Sequence, residues 1–554
     1  MTGHKDSTIA NTFSKSLLFL HGNTTLAGTL CPMSQKNQMM KRRIFITTLT
    51  CLWIFTAVAS CKPADENIVN PSPATGLKGE LNKAELPQPV FSENQNFIDL
   101  YWKAWELAWG RVKYQTGVFQ SPYMDENLWD DTIWIWDTEF MVLFCKYAPH
   151  IFPGIESLNN FYQPILNQVP STLRIQHPDN PAFYSWVEYE YYKMTGDKEH
   201  IKRLLTEERF LQRHYYWFDS LKRGTKFNNF GHSWIGLEKR DIGYIWSWTP
   251  SGMDNTPRGR GRKGELLWMD ALAQQATSAL YITRLAEVVG DAATAREFKN
   301  LYNHNKELLN SYYWDKQDGF YYDLSEDDHS LVKVKTPTVY WTLLAEVADA
   351  TQAQRLAQYA TDPNTFGGEY PWPSVSRDDP DYNHEIGDYW RGGIWLPLAY
   401  MATKALEKYG YYDIAYENSY KLLTQMYDTY AQFTPHTIWE CYSPSQPRPS
   451  ERQRENGREL VTPDFCGWSA LGPISLFIEN VIGFYNIDAT KNLVEWRKTG
   501  HGEQGIKNLR FGNTITDIVA RDNEITVNSN ADYTLKINGI EYPIKAGNQT
   551  WVIH

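Results

Sequence analysis

Cysteine is scarce in this chain. Six occur in 554 residues, and three of those stand at or before residue 61. The remaining three, Cys145, Cys441 and Cys466, have the spacing of no zinc or redox motif. One disulfide, Cys441–Cys466, is open to them in an oxidising compartment; free buried thiols are the simpler expectation. A long Lys/Arg block is missing from the mature chain, and the formal net charge is −11. Together these argue against nucleic acid as the main partner. No strict internal repeat occurs, which excludes a TPR array. No compact acidic loop calls for calcium, so no metal site and no cofactor are assigned, although a structural calcium stays open.

Aromatic residues are in excess: 22 Trp, 35 Tyr and 24 Phe, or 15% of the chain. Such rings fill a core. They also suit carbohydrate, whose C–H faces pack on flat rings while neighbouring polar groups supply hydrogen bonds. Composition alone does not separate the two.

The N-terminus reads as a targeting segment. MKRRIFITTLTCLWIFTAVASC (40–61) has a cationic start, an apolar run and small residues before Cys61. It is too short and wrongly flanked for a stable membrane span. Val58-Ala59-Ser60-Cys61 resembles the bacterial lipoprotein cleavage box, which implies lipidation of Cys61. The expected division is 1–39 outside the native product, 40–60 signal peptide, and 61–92 a polar, Pro-rich tether. Contact with a membrane is then through the lipid anchor alone, at the bacterial cell envelope, on a face the sequence does not identify. It gives no oligomeric state.

Residues 93–487 are patterned as paired helices. Leu272, Ala276, Ala279, Ile282, Ala286 and Val289 step by 4, 3, 3, 4 and 3, one face of a helix. Gly290 and Asp291 read as a stop and an N-cap. Phe298, Leu301, Leu308 and Tyr312 form a second face, broken by Asn305. WDKQDGFYYDL (314–324) then reads as a turn and a short extended piece. Similar pairs are expected at 186–197 with 200–221, and at 392–410 with 412–433. Paired helices over about 390 residues suggest a closed toroid of helical hairpins whose long loops gather at one end. From about residue 492 apolar and polar residues alternate, with Asn- and Gly-containing turns. Residues 488–554 are therefore expected to form a small β-domain, or hairpins belonging to the main one.

Two carboxylates stand out. Asp254 lies in SGMDNTPRGRGR (251–262), a stretch too rich in Gly, Pro, Asn and Asp for regular structure, between IWSW (245–248) and LLWM (266–269). An Asp in such a turn usually just bonds nearby N–H groups. The surrounding rings would strip solvent from it, raise its pKa and let it carry a proton near neutrality. Arg258 or Arg260 would oppose this if close. Glu440, in TPHTIWECYSP (434–444), sits in a loop beside Trp439 and Tyr442. An ionised carboxylate there would activate water; a surface Glu is the plain alternative.

SGMDNTPR (251–258), YWRGGIW (389–395), IWECYSP (438–444), WDTEF (136–140) and PSVSRDDPDY (373–382) together resemble glycoside hydrolase family 63 and the related mannosylglycerate-hydrolase-like and trehalase-like enzymes. The resemblance spans roughly residues 95–485. It implies an (α/α)6 barrel and an inverting mechanism, with Asp254 as general acid and Glu440 as general base. It also implies contacts to an oligosaccharide or small α-glycoside from Trp136, Asp137, Trp248, Asn255, Trp390, Arg391, Trp395, Trp439 and Tyr442. Each has a plainer reading: Asp137 as the N-cap of a helix starting at Thr138, the tryptophans as core. Trp134 is a further ring platform. Pro250, Gly393, Cys441 and Ser443 depart from the family's usual residues and leave the sugar specificity open. Arg448, Arg452, Arg454 and Arg458 in 443–463 would suit a lid over an acidic aglycone. Interleaved Glu451, Glu455 and Glu459 make a solvated loop the safer expectation. The leading reading is an exported inverting α-glycosidase acting on α-glucosides or α-mannosides. A SusD-like glycan-binding lipoprotein is the alternative. A lyase or epimerase on a similar toroid is another, though no Tyr/His or paired-His constellation stands out for it.

Overall fold

The computed structural model describes residues 79–553, apart from 127, 128, 130, 228–233, 261–263 and 501. The expectations for 1–39, for the signal 40–60, for Cys61 and for most of the 61–92 tether lie outside the described residues. Among the described residues no helix is long and apolar enough to cross a membrane.

Helices dominate as far as residue 482, and they are of two kinds. The helices Ile135–Cys145 and Gly472–Ile482 bury all eleven of their residues, the second wound as a π-helix. Leu396–Glu407 buries ten of twelve and Met269–Val289 seventeen of twenty-one. A helix apolar on every side belongs inside. Ala292–Leu308 instead buries one stripe, Thr294, Phe298, Tyr302 and Asn305, and faces solvent elsewhere. Asn305 breaks the apolar face because its amide donates to the Tyr215 hydroxyl at 3.1 Å.

The expected hairpin punctuation is present. Gly290 closes Met269–Val289 at φ 79°, where a side chain is disfavoured. The Asp291 carboxylate accepts from the Thr294 N–H and opens the next helix. Residues 314–324 form the expected turn and short strands. Leu396–Glu407 pairs with Tyr412–Gln432. The expected helix at 200–221 is broken. Lys198–Lys202 passes into a π-turn, Arg209 takes φ 53°, and a new helix, Phe210–Asp219, begins.

The inner helices pack in a definite order. Ile135–Cys145 lies against Tyr184–Thr195, which lies against Met269–Val289. Next come the short Trp341–Leu344 and then Leu396–Glu407; Gly472–Ile482 touches both Leu396–Glu407 and Ile135–Cys145. Toward their C-terminal ends sits a buried charge cluster centred on Glu479. Its carboxylate accepts from Tyr147 at 2.6 Å and pairs with Lys146 at 3.0 Å and Lys404 at 2.6 Å. Burial opposes the charge, but the two lysines hold Glu479 down at about 2.

The C-terminal strands form two sheets. One orders 493–496 between 486–488 and 533–537, with 540–544 at the edge. The other is antiparallel, in the order 88–91, 503–511, 514–521, 524–529, 547–552. Gln88–Phe91, expected within the tether, is thus a sheet strand: Val90 pairs with Gly505, and Phe91 packs edge-on against Phe477 at 5.7 Å. Its alternating burial, with Val90 partly exposed and Phe91 inside, is that of a strand covering one face of a core.

Candidate active site

A cavity of about 540 Å³ opens where the inner helices begin. Trp134, Trp136 and Asp137 reach it from the start of Ile135–Cys145. Asn180 precedes Tyr184–Thr195, and Asp254 lies on the approach to Met269–Val289. Tyr389, Trp390 and Trp395 precede Leu396–Glu407, while Glu440, Thr462 and Trp468 precede Gly472–Ile482.

The stretch that carries Asp254 is an irregular turn, as expected. Gly252 takes φ 83°, and Pro257 opens a single 3-10 turn. Neither nearby arginine touches the acid. Arg258 is buried, pairs with Asp270 at 2.7 Å and with Asp323, and lies over Trp268 at 4.2 Å. It anchors the turn from below. Arg260 pairs with Asp379 and Asp381 at 2.7 and 2.6 Å. Burial raises the Asp254 carboxyl to about 6; Arg452 opposes the rise, Glu440 adds to it, and Arg454 opposes it more weakly.

Glu440 is held from both sides. Its Oε1 accepts from the Tyr389 hydroxyl at 2.7 Å. Its Oε2 accepts from Thr462, from the N–H at 3.0 Å and from the hydroxyl at 2.9 Å. Its backbone is fixed too: the N–H donates to Thr462 O, and the carbonyl accepts from Trp468 Nε1, both at 2.9 Å. Asp137 is 5% exposed. Burial pushes its carboxyl well up, and the charges of Glu440 and Asp125 push in the same direction. Asp137, Asp254 and Glu440 therefore share one cavity, and the first two are shifted toward the protonated form.

Tyr389 is presented by a strained turn. Asp388 and Tyr389 take φ 39° and 63°, the left-handed region that costs a non-glycine residue about 1–3 kcal/mol. Asn255 holds that turn closed: its amide donates to Asp388 O at 2.9 Å and accepts from Trp390 N at 2.8 Å. Trp390 and Trp395 stack face to face at 3.8 Å and 5°, and Trp395 meets Tyr389 edge-on at 4.7 Å.

Several expected substrate contacts are placed elsewhere. Asn255 spends both ends of its amide on backbone. Arg391 pairs with Asp381 at 2.6 Å and does not line the cavity. Trp439 is core, edge-on to Phe433, and the Tyr442 hydroxyl accepts from Trp439 N; both frame Glu440 from behind. Trp248 is 53% exposed outside the cavity. Asp137 is no N-cap, because its helix begins two residues earlier, at Ile135. Trp136, Asp137, Trp390 and Trp395 do line the cavity. Cys441 and Cys466 are free, buried thiols, as is Cys145.

The segment 443–463 is more than a solvated loop. Glu451–Arg454 and Gly457–Leu460 pair as a hairpin, and Arg452, Arg454, Glu459 and Leu460 line the cavity. Asn456-Gly457 between two alternating runs is a hairpin signal, and here it was hidden by the charges. Trp129, stacked on Trp134 at 5.4 Å, was also missed; its flanks carry no distinctive pattern. Among the described residues no cluster of His, Cys, Asp or Glu is arranged to hold a metal ion.

Known proteins resemble this chain in sequence and in fold. An uncharacterized protein of Borreliella burgdorferi is 26% identical over 83% of this chain and 95% of its own length. The mannosyl-oligosaccharide glucosidase of Saccharomyces cerevisiae is 25% identical over 52% of this chain, which spans 37% of that enzyme. Among solved structures, the GH63 mannosylglycerate hydrolase of Thermus thermophilus in complex with Tris superposes with a TM-score of 0.52. That match covers 68% of this chain and 99% of the other at 16% identity, a likeness of fold. The profile of the mannosylglycerate hydrolase MGH1-like glycoside hydrolase domain matches residues 92–457. The chain belongs to the MGH1-like glycoside hydrolase family.

Proposed function

We propose that this protein is an inverting glycosidase that cleaves α-glucosidic or α-mannosidic bonds, with Asp254 as general acid and Glu440 as general base. One observation carries the reading. Asp254 and Glu440 face the same aromatic cavity with opposite equipment. Asp254 is desolvated and raised to about 6, so about a tenth of it holds a proton at pH 7, far more than an ordinary Asp. Three donors converge on the oxygens of Glu440, which act as acceptors, the role a base requires. Asp137, its carboxyl pushed up by burial, is placed to hydrogen-bond a sugar hydroxyl, and the paired Trp390 and Trp395 wall the sugar.

Inversion needs a water between the base and the anomeric carbon, on the face away from the leaving group, with the carboxyls about 6.5–9.5 Å apart. Acid and base come from separate loops at one end of the helices, which supports that arrangement. The order of inner-helix contacts, returning from Gly472–Ile482 to Ile135–Cys145, supports the closed (α/α)6 toroid. Export and lipid anchoring through Cys61, at the bacterial envelope, belong to the same proposal and rest on the sequence pattern of 40–61.

The test is direct. Incubation with a panel of α-linked disaccharides identifies a hydrolysed substrate. Asp254→Asn and Glu440→Gln should each nearly abolish its hydrolysis, and proton NMR should show the inverted anomer first. Near-normal activity in either variant refutes the assignment of that residue; a retained anomer refutes the mechanism.

A further inference from the structure

Arg452 touches Asp254 and the tyrosine that holds Glu440. Its guanidinium lies 3.2 Å from the centroid of the Tyr389 ring, and the Tyr389 hydroxyl donates to Glu440. One of its terminal nitrogens reaches Asp254 Oδ2 at 3.4 Å. The two contacts differ in quality. The stacking is tight. The ion pair is long, since charge-assisted N–H···O bonds run about 2.7–2.9 Å. A guanidinium carries five N–H donors in a fixed fork. Arg452 uses them on one loose ion pair, the only one it makes among the described residues, and it lines the cavity. The other hairpin arginines are committed: Arg448 to Glu451, Arg454 to Glu459 and Arg458 to Glu385. The hairpin itself is fixed beside the acid, because Gln453 N donates to Asp388 at 2.8 Å, on the same strained turn that Asn255 holds.

We infer that Arg452 is a positioning residue for the proton donor: seated on Tyr389, it gives up its loose contact with Asp254 and turns its donors to the hydroxyls of a bound glycoside on the leaving-group side. The inference rests on the glycosidase reading and goes beyond it. Its consequence is that binding arms the acid. Arg452 is the strongest group opposing the protonation of Asp254; Arg454 opposes it more weakly, and Glu440 favours it. Arg258 and Arg260, on the acid's own turn, are tied to other carboxylates. Moving Arg452 onto substrate removes the main opposing charge at the moment the proton is needed. A glycoside whose hydroxyls engage the guanidinium is therefore favoured over one lacking them.

The experiment uses the full chain, wild type and Arg452→Met, on the α-linked disaccharide that wild type hydrolyses fastest. The pH profile of kcat/KM reports the free enzyme and that of kcat reports the complex. In Arg452→Met the alkaline limb of kcat/KM should move up by about one unit, KM should rise about tenfold, and the alkaline limb of kcat should stay where wild type has it. If both limbs move together, Arg452 stays on Asp254 in the complex and the inference is wrong. If neither moves, the contact has no bearing on the acid, and it is equally wrong. Arg452→Lys keeps the charge without the fork and stands in should the methionine variant not fold. It should restore the limb of kcat/KM but not the KM; recovery of both also overturns the inference. Asp254→Asn separates the two levels. If that variant keeps near-normal activity, the assignment of Asp254 as proton donor falls and the role of Arg452 with it; if it is inactive and the limbs of Arg452→Met move together, only the role of Arg452 falls.

Discussion

Asp254→Asn should stabilise the protein while it removes activity. The carboxyl is raised from 3.8 to about 6. That is about two units, or about 3 kcal/mol at about 1.36 kcal/mol per unit. The side chain is 36% exposed, and solvent screening lowers the figure to about 1–2 kcal/mol. The sign follows from linkage. The folded pKa lies above the unfolded one, so the unfolded chain loses its proton first as pH rises. Stability is undiminished below the unfolded value and falls until the pH passes the folded value. Asparagine has no charge to desolvate, so the gain is absent in strong acid and complete above about pH 7, with about two-thirds of it developing between about pH 4.5 and pH 7. Denaturant unfolding of wild type and variant at those two pH values measures it. A variant no more stable at neutral pH, or equally more stable at both, would show that Asp254 is not a desolvated acid, and the case for it as proton donor would lose its physical basis.

Tyr389→Phe removes one hydrogen bond to the carboxylate of Glu440, a contact worth about 1.5–3 kcal/mol. It should lower kcat/KM about 10–100-fold with little change in melting; an unchanged rate would show that Tyr389 does not orient the base. Glu479→Ala leaves Lys146 and Lys404 charged and buried without their shared partner, and should cost about 3–5 kcal/mol in denaturant unfolding. A cost below about 1 kcal/mol would mean that water, or Glu190 and Glu407, which already pair with Lys146 and Lys404, takes over from the carboxylate.

What the sequence revealed depended on how local the cause was. The 269–308 hairpin was legible because its stop and start are one dipeptide, Gly290-Asp291, between two apolar stripes. The C-terminal strands were legible by alternation. Gln88–Phe91 was not, since four residues beside prolines carry no strand signal and the partner strand begins at Glu503. In the site, Asp254 and Glu440 stood out through their motifs. Trp136 and Trp439 had similar neighbours and opposite fates: one begins an inner helix at the cavity, and the other packs behind Glu440 on Phe433. No local pattern separates them. Asn255 and Arg391 read as sugar ligands because the family resemblance of their motifs implies it, and a motif does not show what its polar groups bond. Here they hold the Asp388–Trp390 turn and Asp381. Arg452 was obscured for a related reason: alternating charges indicate a solvated stretch unless their partners across the fold are known.

The strand Gln88–Phe91 has a consequence for biosynthesis. The adjacent Ser92 is 411 residues from its partner Glu503. At about 5–20 residues per second, a ribosome needs roughly 20–80 s to deliver that partner after the strand emerges. Throughout that interval the N–H and C=O groups that pair with 504–507 have no partner. The helices can begin to assemble as they appear, but this sheet closes only when the last part of the chain is made. A message truncated before residue 503 would therefore yield a chain whose N-terminal edge has no partner of its own, a template for association with other chains and a handle for quality control.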